Sequence, residues 1–139
     1  MDEAKRKWVS AWMRKALSDL QTAEILARPE SEHPDTGVYH CQQAAEKALK
    51  AFLAFEDLAI KKTHEVDELV ALALTKEPAF HSIRDDADVV SPFATRFRYP
   101  SIADSDLEPT ESDFVEALAA ARRIYDFVLS VLPPETHPA

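Results

Sequence analysis

Two arginines and a tyrosine crowd the stretch "FATRFRYPSIAD", residues 93–104, of a chain that is otherwise acidic. The planar guanidinium fork donates paired hydrogen bonds, so Arg96 and Arg98, with Tyr99 beside them, have the chemistry to grip a phosphate. The same three residues also suit a helix end, where arginines complement the dipole and a tyrosine buries its ring. The residues alone leave both readings open. Glutamine and lysine on a second segment, Gln43 and Lys47, lie four apart and share one helix face, where they can line a groove with an arginine from elsewhere. On the same grounds Asp19 is a candidate groove residue: a buried carboxylate needs a partner, and a lysine or arginine across the fold is the simplest one.

Charge limits what such a cluster can hold. With 25 Asp and Glu against 16 Lys and Arg the formal net charge is −9, so the mean field repels polyanions and any phosphate contact must be local. Other chemistries are poorly served. The histidines at 33, 40, 64, 81 and 137 and the lone Cys41 show no paired metal-ligand spacing, and a chain whose one glycine is Gly37 cannot build a glycine-rich phosphate loop. We therefore expect no metal and no cofactor. The acidic run Asp104, Asp106 and Glu108 reads as solvated surface. One cysteine cannot pair within the chain and no apolar run approaches the ~20 residues of a membrane span, which gives a cytoplasmic setting as the expectation, without membrane contact.

The elements that must carry these residues are helical. From Glu3 to about Arg28 nothing breaks the chain, and Val9, Met13, Ala16, Leu20, Ala23 and Ala27 recur at steps of four and three. Trp8 and Trp12, four apart, read as core or dimer-surface residues. Two prolines in "RPESEHPD" end this helix, and a second starts near Asp35 or Thr36 with Val38, Cys41, Ala45, Leu49 and Phe52 inward and Gln42, Gln43, Glu46, Lys47 and Lys50 on its other faces. Glu46 and Lys50 are spaced as an ion pair. A short third helix follows an N-cap at Thr63 or His64 and ends near Lys76; a fourth spans about Ala79 to Val90 and continues past Pro92 to Tyr99, where Pro100 stops it. After a loop of roughly a dozen residues, a last helix runs from about Ser112 to Leu132, capped by Thr110 or Ser112, with Phe114, Ala117, Leu118, Ala121, Ile124, Tyr125, Val128 and Leu132 inward and Arg122 and Arg123 facing solvent or acids. The pattern predicts one all-α domain over 1–139, an antiparallel up-and-down bundle of four long helices plus one short one, with its core over about 8–132 and a flexible tail over 133–139.

Four blocks in order, "WMRKALSDLQTAEIL", "YHCQQAAEKALKAFLAF", "KKTHEVDELVAL" and "RFRYP", resemble the HEPN family of small helical nucleotide-binding domains. The resemblance covers about Trp8 to Leu132. It implies a prokaryotic homodimer with a polar groove at or near the dimer interface, and a choice of roles: an RNA-cleaving toxin, a nucleotide binder, or the partner of a minimal nucleotidyltransferase in a toxin–antitoxin setting. It also shifts "RYP" from helix end toward anion site. The ribonuclease branch resembles a metal-independent design in which four to six residues separate an arginine from a histidine that acts as general acid or base. Here Arg98 is followed at those places by Ala103, Asp104 and Ser105, and Arg96 by Ser101, Ile102 and Ala103. Arg28 and His33 have the spacing by accident, in a connection where the family carries no active site. The reading is thus a non-catalytic module that binds a nucleotide or RNA phosphate through Arg96, Arg98, Tyr99, Lys47 and Gln43, with Asp19 in the groove. Its alternatives are a metal-independent endoribonuclease and a purely structural dimerisation domain.

Overall fold

A computed structural model describes residues 1–60, 62–94, 100 and 108–138. It is an all-helical bundle, with no strand among the described residues. Helix α1 is Glu3–Leu26, α2 Pro34–Phe55, α3 Val66–Leu74, α4 Arg84–Val90 and α5 Glu111–Val131; short 3-10 turns occupy Pro78–Ile83, Ser91–Ala94 and Pro134–Thr136. α1 and α2 form an antiparallel pair across the short 27–33 connection, and α5 packs mainly on α2 and α4. The bundle's remaining position is filled by α3 and the segmented 78–94 stretch, not by a single long fourth helix. Pro78 and Pro92 explain the segmentation, because each removes a backbone donor.

Each helix end has a local cause. Asp2 caps α1, its Oδ1 accepting from the Lys5 N–H at 2.8 Å. α2 opens with Pro34 in its first turn, one to two residues before the expected start. It closes on Asp57, which takes the left-handed conformation at φ 57° that glycine usually supplies. The Asp57 carboxylate also pairs with Lys5 at 2.9 Å, fixing the end of α2 to the start of α1. Thr110 caps α5 as expected, in a reciprocal box with Asp113. For α3 the N-cap position falls to Glu65; Thr63 instead accepts from the Glu65 N–H at 3.0 Å, and the His64 ring turns to α2.

The core runs as one cluster from Val9 to Leu132 and holds every inward residue that the periodicity assigns to α2 and α5. Phe52, Phe80 and Phe127 stack through it with centroids 4.6 and 4.8 Å apart, joining α2, the 78–83 turn and α5. Three expectations need correction. Gln42, Glu46 and Lys50 are buried, because α2 is packed by α1, α3, α4 and α5 and has almost no free side. Trp8 is 53% exposed, which corrects the core alternative given for it and leaves the surface one. The tail read as flexible folds back at Thr136 and His137: Thr136 is fully buried, and the His137 Nε2–H donates to the carbonyls of Leu129 (2.8 Å) and Leu132 (3.1 Å), satisfying the end of α5.

Gly37 sits where α2 meets the Phe114 ring, and a Cβ there would collide with its Cζ. The ring is 2% exposed and has nowhere to go. Alanine is the better helix former by about 1 kcal/mol, yet overpacking costs about 1–3 kcal/mol. Gly37→Ala should therefore lower stability in urea denaturation, and Phe114→Leu in the same chain should recover part of the loss; a Gly37→Ala chain as stable as the parent would contradict the packing described.

Candidate functional site

The fold removes two carboxylates from water, one at the seam between α1 and α2 and one on α2 beside the segment that leads into α3. Asp19 is one, its side chain 11% exposed. His40 donates its Nδ1–H to Asp19 Oδ1 at 2.8 Å, and Lys47 donates to Asp19 Oδ2 at 2.5 Å. Gln43 and Lys47 follow His40 by three and seven residues along one helix, so all three stand on the α2 face that looks toward Asp19. Gln43 does not reach Asp19; its Nε2–H₂ donates to Gln42 Oε1 at 2.7 Å. His40 and Lys47 are each one quarter exposed, so solvent reaches both. Burial pushes the Asp19 carboxyl up, but the hydrogen bonds from His40 and Lys47 outweigh it and hold the group below the usual aspartate value.

The second carboxylate, Glu46, is buried and saturated. It accepts from Lys50 (2.9 Å) on Oε2 and from Gln42 (3.1 Å) and the His64 ring (3.0 Å) on Oε1. Gln42 also donates to the His64 carbonyl at 2.9 Å, which ties the segment ahead of α3 onto α2. The "QQAAEK" and "KTH" blocks thus meet in one hydrogen-bonded joint, through Gln42, Glu46 and His64. The Lys50 ammonium lies 5.8 Å from the centre of the Trp12 ring. One buried side-chain polar atom among the described residues has no partner, the Trp12 Nε1–H.

Of the residues singled out in the sequence, the fold brings Asp19 and Lys47 into contact and sets Gln43 one turn away. Arg96, Arg98 and Tyr99 lie outside the described residues, as do Asp104 and Asp106. Sequence reasoning missed His40 as a site residue; its spacing of three and seven from Gln43 and Lys47 was the available signal. Cys41 faces the core and its thiol is pushed up to about 12 by burial, so it offers no nucleophile. Arg122 pairs with Glu24 at 3.5 Å and Arg123 with the buried Asp86 at 2.7 Å, which accounts for both as structural cations. A shallow cleft between α3 and α4 sets Arg84 between Asp67 and Asp88, an acidic surround unsuited to an anion.

The architecture is that of a helical bundle in which the part-buried polar cluster that solvent reaches lies on the α1–α2 seam. The HEPN domain family model matches residues 9–131, and the chain belongs to that family. Among solved structures, TT1696 from Thermus thermophilus is similar at 23% identity and a TM-score of 0.76, over 89% of this chain and 98% of that one, a likeness of fold. ST0689, described as an archaeal HEPN homologue, is similar at 29% identity and a TM-score of 0.69, over 88% and 95%. No curated protein sequence matches significantly.

The Asp19 contacts set a pH dependence. A carboxyl held below its unfolded value of about 3.9 stabilises the fold above that pH, and the contribution is lost as pH falls through the lower, folded value. Asp19→Asn should cost about 1–3 kcal/mol at pH 7, and the gap to the parent should close on acidification. A gap that stays constant from pH 7 to pH 2 in denaturant titrations would refute the ionic account of this contact.

Proposed function

We propose that the chain is a non-catalytic HEPN module that binds the phosphate of a nucleotide or RNA on the α1–α2 seam. The observation that carries this is the position of Lys47, fixed by Asp19 at a solvent-reached site. An ammonium has three donors; Asp19 takes one and two remain for a phosphate oxygen. His40 stands on the same carboxylate and frames the other side. Asp19 thus fixes the cation in place, and a site fixed beforehand spends less of its binding energy on ordering.

Arg96, Arg98 and Tyr99 complete the proposal as the phosphate-binding arm, on the strength of the family resemblance of "RYP" and the suitability of guanidinium for phosphate. The module is non-catalytic in this reading because neither arginine is followed by a histidine at the ribonuclease spacing. Net charge −9 favours one small ligand or a protein partner over a long polyanion. We assign a cytoplasmic homodimer working beside a minimal nucleotidyltransferase, in a toxin–antitoxin setting, as the context the family supplies. No helix among the described residues is long and apolar enough to cross a membrane.

Isothermal titration with AMP and with a short oligoribonucleotide tests this. Lys47→Gln keeps a donor for Asp19 but removes the charge, and Arg98→Ala removes the second cation; each should weaken binding about tenfold, roughly 1.4 kcal/mol, with the melting temperature nearly unchanged in Arg98→Ala and lowered in Lys47→Gln, where the buried Asp19 loses its ionic partner. Affinity equal to the parent in both variants would remove the claim.

A further inference from the structure

The phosphate reading leaves the exposed indole of Trp8 unexplained. Trp8, Trp12, Lys15 and Asp19 follow one another on α1 at steps of four, three and four, which is one stripe of the helix. The stripe runs along the seam with α2, since Asp19 meets Lys47 and Trp12 meets Lys50. Trp8 is 53% exposed, although a ring of that size is the residue a fold gains most by covering. It stands edge to face with Trp12, centroids 5.5 Å apart, and so is held at a set angle while about half of the residue stays open to solvent. Lys15 is exposed and has no carboxylate partner among the described residues.

We propose that Trp8 is the platform for a nucleobase, and that Lys15 and Lys47 take the phosphates of the same nucleotide. This rests on the phosphate-binding reading and adds the base subsite to it. Trp8 and Lys15 are seven residues apart, about 10 Å along the helix, the length of a nucleotide from its base to its far phosphate. An aromatic face beside lysines is the pairing that holds a nucleotide unit, because every base has a stackable surface and every phosphate a charge. A second copy of the chain is a poorer occupant. Among the described residues the other exposed large apolar side chains are Met1 just ahead of α1, Ile25 more than four turns along it and Val115 on α5; with Met1 alone near it in the chain, Trp8 falls short of the apolar patch that interfaces use. Trp12 adds a buried Nε1–H without an acceptor in the same stripe.

The test is calorimetry of the full chain with three probes: ATP, inorganic triphosphate and a ribotrinucleotide. Trp8→Ala, an exposed change checked by circular dichroism, should weaken ATP and trinucleotide about 5- to 100-fold and leave triphosphate binding as it was, with Trp8→Phe restoring most of the loss. Lys15→Ala should weaken all three. Tighter binding of the trinucleotide than of ATP would assign the subsite to the end of a strand, and the reverse to a free nucleotide; both outcomes support it. Unchanged ATP affinity in Trp8→Ala overturns the proposal, most directly if sedimentation shows that the substitution instead dissociates a dimer. A parent chain that binds triphosphate but gains nothing from a base also overturns it while leaving the phosphate site intact; no binding of any probe removes both.

Discussion

A carboxylate taken out of water has to be met by charge and hydrogen bonds, and that requirement at Asp19 organises the face on which the functional reading stands. Asp19 is on α1, its two partners are on α2, and the contact is possible only because the two helices run antiparallel with their seam in register. The Lys5–Asp57 pair fixes that register at one end, where α1 starts and α2 stops. Removing one member of such a pair costs more than the pair contributes net, since the survivor is left without a partner. The seam is therefore held in one arrangement, and its two partly exposed donors are held with it.

Glu46 does a different job with the same chemistry. Its partners are a lysine four residues on, a glutamine four residues back and a histidine from the segment before α3, all within 3.1 Å. Nothing in that set is left over for a ligand. The two networks share a helix and divide its polar residues between them: Gln42, Glu46 and Lys50 join elements, whereas His40 and Lys47 keep contact with solvent. Family resemblance at "QQAAEK" and "KTH" thus reports a structural joint, and the residues with a claim to function sit between those that make it.

The helices were legible because apolar residues at steps of three and four can be satisfied in few ways, and the inward residues of α2 and α5 are those that the pattern names. The burial of Gln42, Glu46 and Lys50 was not legible. A polar residue is assigned outward by pattern alone, and only the fold reveals that Lys50 neutralises Glu46 inside while Gln42 hydrogen-bonds to it. The same applies to the tail, where His137 turns back to cap α5 through carbonyls no sequence pattern marks. Asp19 and Lys47 could be named as candidates because a lone acid on an apolar stripe demands a partner. The spacing of His40 from Gln43 and Lys47 placed it on the same helix face, but its contact with Asp19 depends on the register between α1 and α2, which comes from the three-dimensional packing.

The central claim is that the α1–α2 seam at Asp19 binds phosphate, and side-chain NMR during titration with AMP addresses it most directly. The account predicts that the His40 ring and Lys47 side-chain signals move together, to saturation at one affinity, while Arg84 in the α3–α4 cleft stays still. Signals of His40 and Lys47 that remain fixed while others move, or that do not respond at saturating AMP, would contradict it.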